Sequence, residues 1–126
     1  MSKFLRWLPT LLWATMIFLL SSMSWPPSPG PQFRLKDKVG HCMLYAGLGY
    51  LVARSVRRAH NLSLPKTVAL AILIASAYGV SDEFHQQFVP HRSCDLFDWV
   101  ADTLGGIAGS TAFYAYETAK TNRRVA

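Results

Sequence analysis

The chain has 126 residues, 51% of them apolar and only 16% charged, with a mean hydropathy of +0.17. That length allows a single domain, 1–126, and excludes a multi-domain enzyme; so apolar a chain also excludes intrinsic disorder. The net charge of +6 would suit nucleic acid, but the basic residues are short flanks of apolar runs rather than one basic face, which argues against that partner and for a lipid bilayer.

No charged residue lies between Arg6 and Arg34, and about 20 residues cross a hydrocarbon core of roughly 30 Å. Leu5–Met23 is therefore predicted to span. Residues 1–24 also carry the Lys3/Arg6 flank and the small Ser22 and Ser24 of a cleaved signal peptide, although the apolar stretch exceeds a usual h-region. Trp25–Pro31, reading WPPSPGP, holds four of the seven prolines and is predicted as a stiff outer loop with Trp25 at interfacial depth.

The next uncharged stretches, Val39–Ala53, Thr67–Ser81 and Thr103–Tyr116, contain 15, 15 and 14 residues, too short for an upright crossing. Each reaches spanning length by taking in polar residues at one end: Asp37 and His41, then Asp82–Gln86, then Asp95–Asp102. The expected fold class is all-α integral membrane, a four-transmembrane-helix bundle with spans near 5–23, 37–53, 67–86 and 95–116. Asn61–Pro65 is the expected turn between spans two and three, with Pro65 opening the third helix. The tail from Lys120 is expected to be short, basic and frayed.

With four spans, nine of the thirteen basic residues but one of the seven acids fall on one side, leaving net +8 there and −2 opposite. The positive-inside rule makes the basic side cytoplasmic, with both termini on it. Small residues at steps of three or four mark the packing faces, since helices in lipid meet by close backbone approach. Asp95, Asp98, Asp102, Gly105, Gly109, Ala112 and Tyr116 form one such stripe. Ala75, Gly79, Asp82 and Gln86 form a second, and Asp37, His41 and Tyr45 a third, with Gly40 and Gly47 nearby. Each stripe runs outward into a polar cluster.

Ser81–Asp102 holds five of the seven acids. Asp98 and Asp102, at i, i+4, bring two like charges to about 6 Å and repel unless a cation intervenes. Arg92 is the expected counter-charge, its planar fork suiting a carboxylate or a phosphate, and His41, His85 and His91 add imidazoles from the same side. Intramembrane ionisable groups mark functional sites by default, but a self-satisfied structural network would use the same residues. Carboxylates suit a divalent cation, for which Asp82, Glu83, Asp98 and Asp102 are the candidates. His85 and His91 are six apart, so no zinc-protease motif is present. Cys42 and Cys94 fall on one side and are either a pair or two packing residues. His60 is expected to be solvated, and Phe84, Phe88, Phe97 and Trp99 to form an interfacial belt.

Asp82-Glu83, Gln86, Arg92, Asp98, Asp102 and Gly105 resemble the signature of the VanZ-like membrane proteins, and Asp37-Lys38, His41, Tyr45 and Leu48-Gly49 resemble that family's other characteristic stretch. Two positions depart from the pattern: Asp102 stands where Asn is common, and His91 where a Gly before the Arg is common. The resemblance implies a multi-pass protein of the bacterial inner (cytoplasmic) membrane, linked to resistance to teicoplanin, a lipid-bearing glycopeptide antibiotic acting at the cell envelope. It carries over Asp37, His41, Asp82, Glu83, Gln86, Arg92, Asp98 and Asp102 as signature positions.

The leading expectation is an outward-facing polar pocket that binds an amphiphile, such as a lipid-linked cell-wall precursor, a phospholipid head group or a lipoglycopeptide. Asp37, His41, Gln86, Arg92, Asp98 and Asp102 are its expected ligand-binding residues, with Lys36 or Lys38 at the rim beside Arg92. The enzyme alternative acts on a lipid-linked phosphate. In it His41, Asp82, Glu83 or Asp98 serves as catalytic acid or base and a divalent cation as electrophile. A ligand-free scaffold, its polar residues only locking helices together, is the third alternative.

Overall fold

The computed structural model describes residues 2–24 and 31–125, with side chains from Leu35 onward in the second segment. It contains four helices, α1 (Lys3–Ser21), α2 (Pro31–His60), α3 (Leu64–Gln86) and α4 (Leu96–Val125), and no strand among the described residues. Each predicted span falls on one helix. Pro65 stands in the first turn of α3, where a missing N–H costs no intrahelical bond.

Two boundaries differ from expectation, the start of α2 and the end of α4. The proline-rich loop lies outside the described residues, Trp25 included, apart from Pro31, which opens α2. α4 runs on through Lys120 to Val125, so the tail expected to fray is helical. α2 and α4 are 30 residues each, which lets both carry a polar end beyond their apolar middle. Among the described residues only α1 and α3 are apolar and long enough to cross a membrane. α2 and α4 fall short of that composition because glycines, tyrosines and buried polar groups dilute their apolar runs.

The helices run up-down-up-down. The α1 start meets the α2 end, where the Arg6 guanidinium bonds the Arg58 carbonyl and Trp7 packs edge-on to His60. At the other end Ser22, just past α1, meets His85 near the end of α3, and Lys38 near the start of α2 meets Asp98 near the start of α4. α2 is the central element, supplying Tyr45, Leu48, Val52, Ala53 and Val56 to the core. It packs most extensively on α4, while α1 rests on α2 and touches α3 at fewer points.

The α2–α4 seam is backbone on backbone. A Cβ at Gly105 would collide with the Cys42 carbonyl, one at Gly109 with the Ala46 carbonyl, and one at Gly49 with the Gly106 carbonyl. No other residue type permits that approach, which is the small-xxx-small logic of helices meeting in lipid. The α4 stripe departs from expectation at its far end. Ala112 and Tyr116 are exposed, because Phe113 turns inward instead and packs edge-on against Tyr50 at 5.6 Å between ring centres.

α1 is held to α2 by polar groups as well as by apolar contact. Thr10 Oγ1 and Ser55 Oγ are 2.8 Å apart, Ser55 Oγ donates to the Arg6 carbonyl at 2.9 Å, and Trp13 Nε1 donates to the Leu44 carbonyl at 2.9 Å. Tyr78 of α3 reaches across to the Ala14 carbonyl at 2.7 Å.

Candidate functional site

The tight seam has a direct consequence at its polar end. Because α2 and α4 touch through glycines, Lys38 and His41, one turn apart on α2, face Asp98 and Asp102, one turn apart on α4. Lys38 Nζ donates to Asp98 Oδ1 at 2.7 Å and to Asp95 Oδ2 at 2.9 Å. His41 Nδ1 donates to Asp102 Oδ1 at 2.8 Å. The two aspartates expected to repel are thus each given a separate donor.

Asp95 caps α4. Its Oδ1 accepts from the Phe97 N–H at 2.9 Å, satisfying one of the orphan donors at a helix start. Its own N–H donates to Glu83 Oε2 at 2.9 Å, which ties the α4 start to the last turn of α3. On α3, Gln86 Nε2 donates to Asp82 Oδ2 at 3.3 Å. Asp82, Glu83, Gln86, Asp98 and Asp102 are all buried, Asp102 completely. Gly79 admits Asp102 between α3 and α4, since a Cβ there would stand 3.1 Å from the Asp102 side chain.

This network is not self-satisfied. Glu83 Oε1, Asp82 Oδ1, Asp102 Oδ2, Tyr45 Oη and Ser21 Oγ are buried without a hydrogen-bond partner among the described residues. Buried polar atoms are nearly always bonded, so five in one region mark a place that needs an explanation.

A cavity of about 200 Å³ opens beside the cluster, between α1, α2 and α3. Ile17, Leu20 and Leu44 give it an apolar wall, and His41, Tyr45, Asp82 and Gln86 a polar one, with Ser21, Lys36, Asp37, Gly40 and Arg92 also on its lining. Arg92 makes no ion pair among the described residues; its Nε donates to the Met23 carbonyl at 3.4 Å.

The expected site residues therefore separate into groups. His41, Glu83, Asp98 and Asp102 come together, with Asp82 and Gln86 adjoining on α3. Asp37 lies beside His41 and Asp98 at the edge of the cavity, and Arg92 stands apart on the cavity lining. Arg92 is not the counter-charge of the acids: Lys38 and His41 occupy that position, and Lys38 is correspondingly tied down rather than open at the rim. His85 points to Ser22 and Phe18, and His91 is exposed in the α3–α4 turn, so of the three outer histidines only His41 joins the cluster.

Cys94 is exposed and Cys42 half-buried, both free. Phe84, Phe88 and Phe97 are exposed, whereas Trp99 departs from the expected belt by turning inward to donate to Ser76 at 3.2 Å. The orphaned Tyr45 hydroxyl and the pairing role of Lys38 were missed in the sequence. The signal for Lys38 was present, since Lys38 and His41 share the spacing that lets them meet Asp98 and Asp102.

The class these features define is an all-helical protein with two helices of membrane-spanning length and a buried acidic site. A family profile for VanZ/LLP1 proteins matches residues 6–117, and the chain belongs to that family. No curated protein and no solved structure matches the chain.

Proposed function

We propose that the chain is a four-span membrane protein whose cavity takes the anionic head group of an amphiphile at the outer leaflet. The observation that carries this reading is the composition of the cavity. Arg92, without an ion pair among the described residues, and Lys36 stand on the same lining as the apolar Ile17, Leu20 and Leu44, a lining that also carries the acids Asp37 and Asp82. A planar guanidinium with free donors suits a phosphate or carboxylate, and an apolar wall suits the first carbons of a lipid chain. A cavity of about 200 Å³ is below the roughly 300–1,000 Å³ of sites that engulf a drug-sized ligand, so the head group enters and the tail stays in lipid.

Three features support the membrane setting. α1 and α3 are apolar over a membrane-spanning length. Large apolar side chains, among them Leu12, Leu19, Leu73 and Leu104, are exposed along α1, α3 and α4. Basic residues gather at one end of the bundle, the end the positive-inside rule assigns to the cytoplasm. The orphaned buried oxygens weigh against a ligand-free scaffold, in which the polar groups would satisfy one another.

As the family resemblance implies, engagement of an envelope amphiphile would underlie tolerance of teicoplanin. The test pairs a binding assay with a susceptibility assay. Purified protein in detergent is titrated with phosphatidylglycerol, a polyprenyl phosphate and phosphatidylcholine while thermal unfolding is followed. The anionic lipids are expected to raise the melting temperature, and Arg92→Ala to abolish the rise. Equal response to phosphatidylcholine would overturn the head-group reading. Unchanged teicoplanin tolerance in cells carrying Arg92→Ala, at matched membrane levels, would remove the resistance role.

A further inference from the structure

We propose that His41, Glu83 and Asp102 form a binding site for a divalent transition ion of the Zn²⁺ type, clamping α2, α3 and α4 together. One nitrogen of His41 and one carboxylate oxygen from each acid lie within 4.8 Å of one another, and all three residues are buried. Zn²⁺ bonds of about 2.0–2.2 Å place ligand atoms roughly 3–4 Å apart, so small side-chain movements close the set.

The independent observation is the state of the carboxylates. In each, one oxygen is pinned: Glu83 Oε2 by the Asp95 N–H at 2.9 Å, and Asp102 Oδ1 by His41 at 2.8 Å. The other oxygen of each, Glu83 Oε1 and Asp102 Oδ2, is buried with no partner among the described residues. At Glu83 one oxygen is held by a backbone N–H and the other presented, which is how outer-shell bonds orient metal-ligating carboxylates; at Asp102 the bond comes from His41, a fellow ligand. Charge points the same way, since two carboxylates in a dry setting are stable only with a cation or hydrogen-bond donors beside them. One imidazole with two carboxylates selects an ion of Zn²⁺ or Mn²⁺ character over Ca²⁺, which takes six to eight oxygens.

A second trio, Asp37, His41 and Asp98, satisfies the same distance limit. It is the weaker site, because Asp98 is already bonded to the Lys38 ammonium at 2.7 Å and Asp37 is only half-buried. The assignment does not depend on what fills the cavity, so it stands or falls separately from the amphiphile reading.

The experiment uses the full chain in detergent, stripped with EDTA and dialysed against Zn²⁺, Mn²⁺ or Ca²⁺. Bound metal is counted by mass spectrometry of the elements, and thermal unfolding is followed in parallel. About one Zn²⁺ per chain and a raised melting temperature are expected, with Ca²⁺ bound at least tenfold more weakly. Glu83→Gln and Asp102→Asn should each lose the ion, while Asp37→Asn and Asp98→Asn keep it. Co²⁺ bound to the unaltered protein should give visible absorption bands that Zn²⁺ displaces, a readout that requires no variant to fold. No stoichiometric Zn²⁺ or Co²⁺ on the unaltered chain overturns the site, as does a metal lost from Asp37→Asn but retained by Glu83→Gln.

Discussion

Lys38 and Asp98, 60 residues apart in the chain, meet at 2.7 Å across the α2–α4 seam, with the carboxylate buried and the ammonium about a third exposed. Removing one partner of such a pair leaves the other charge in an apolar place. Lys38→Met should therefore destabilise the protein by about 1–3 kcal/mol, the usual cost of an unsatisfied charged partner. Asp98→Asn, which leaves a neutral acceptor for the ammonium, should cost less. Thermal unfolding in detergent checks the order; equal melting temperatures for Lys38→Met and the parent would mean the bridge carries no stability.

Gly109 stands where any Cβ would run into the Ala46 carbonyl of the neighbouring helix. Backbone cannot move aside as a side chain does, so Gly109→Ala has to prise α4 from α2. Overpacking typically costs about 1–3 kcal/mol. Gly40 meets nothing within 4 Å of an added Cβ, and Gly40→Ala is the matched control, expected to leave the melting temperature level or slightly higher because alanine favours the helix.

The α3–α4 turn contains His91 at φ 63°, a left-handed backbone that side chains disfavour and glycine adopts freely. Relief of that strain outweighs the extra freedom glycine brings to the unfolded chain. His91→Gly should thus stabilise the protein, by something under about 1 kcal/mol.

Cys94 lies exposed at the end of the bundle opposite Arg57 and Arg58. If that end faces outward, a membrane-impermeant maleimide should label Cys94 on spheroplasts, and a cysteine placed at Arg58 should react only after permeabilisation. The reverse pattern would invert the topology and move the cavity to the inner leaflet.

Much of this organisation was legible in the sequence, and the parts that were not share a cause. Uncharged runs and the glycine stripe located the helices and the face Asp98, Asp102, Gly105 and Gly109 present, because those depend on periodicity within one helix. The convergence of His41 with Asp102 followed from each stripe running into polar residues at the same end. What periodicity could not supply was the pairing of donor to acceptor between helices. Arg92 has the better fork for a carboxylate, yet it sits in a turn beyond α3, whereas Lys38 lies on the helix that the glycines press against α4. Nor could spacing foresee that Phe113 would displace Ala112 and Tyr116 from the interior, since that depends on the shape Tyr50 offers it.

The glycine seam also determines which wall of the cavity can yield. α2 and α4 are locked by contacts that have no slack. α3 is bound to the start of α4 through Glu83 and Gly79 and packs on α2 through Tyr78 against Tyr45. α1 contributes Ile17, Leu20 and Ser21 to the same cavity while resting chiefly on one neighbour. The wall with the most slack is therefore α1, hung on α2 chiefly through Thr10, Ser55 and Trp13 and on α3 through the Tyr78 hydroxyl.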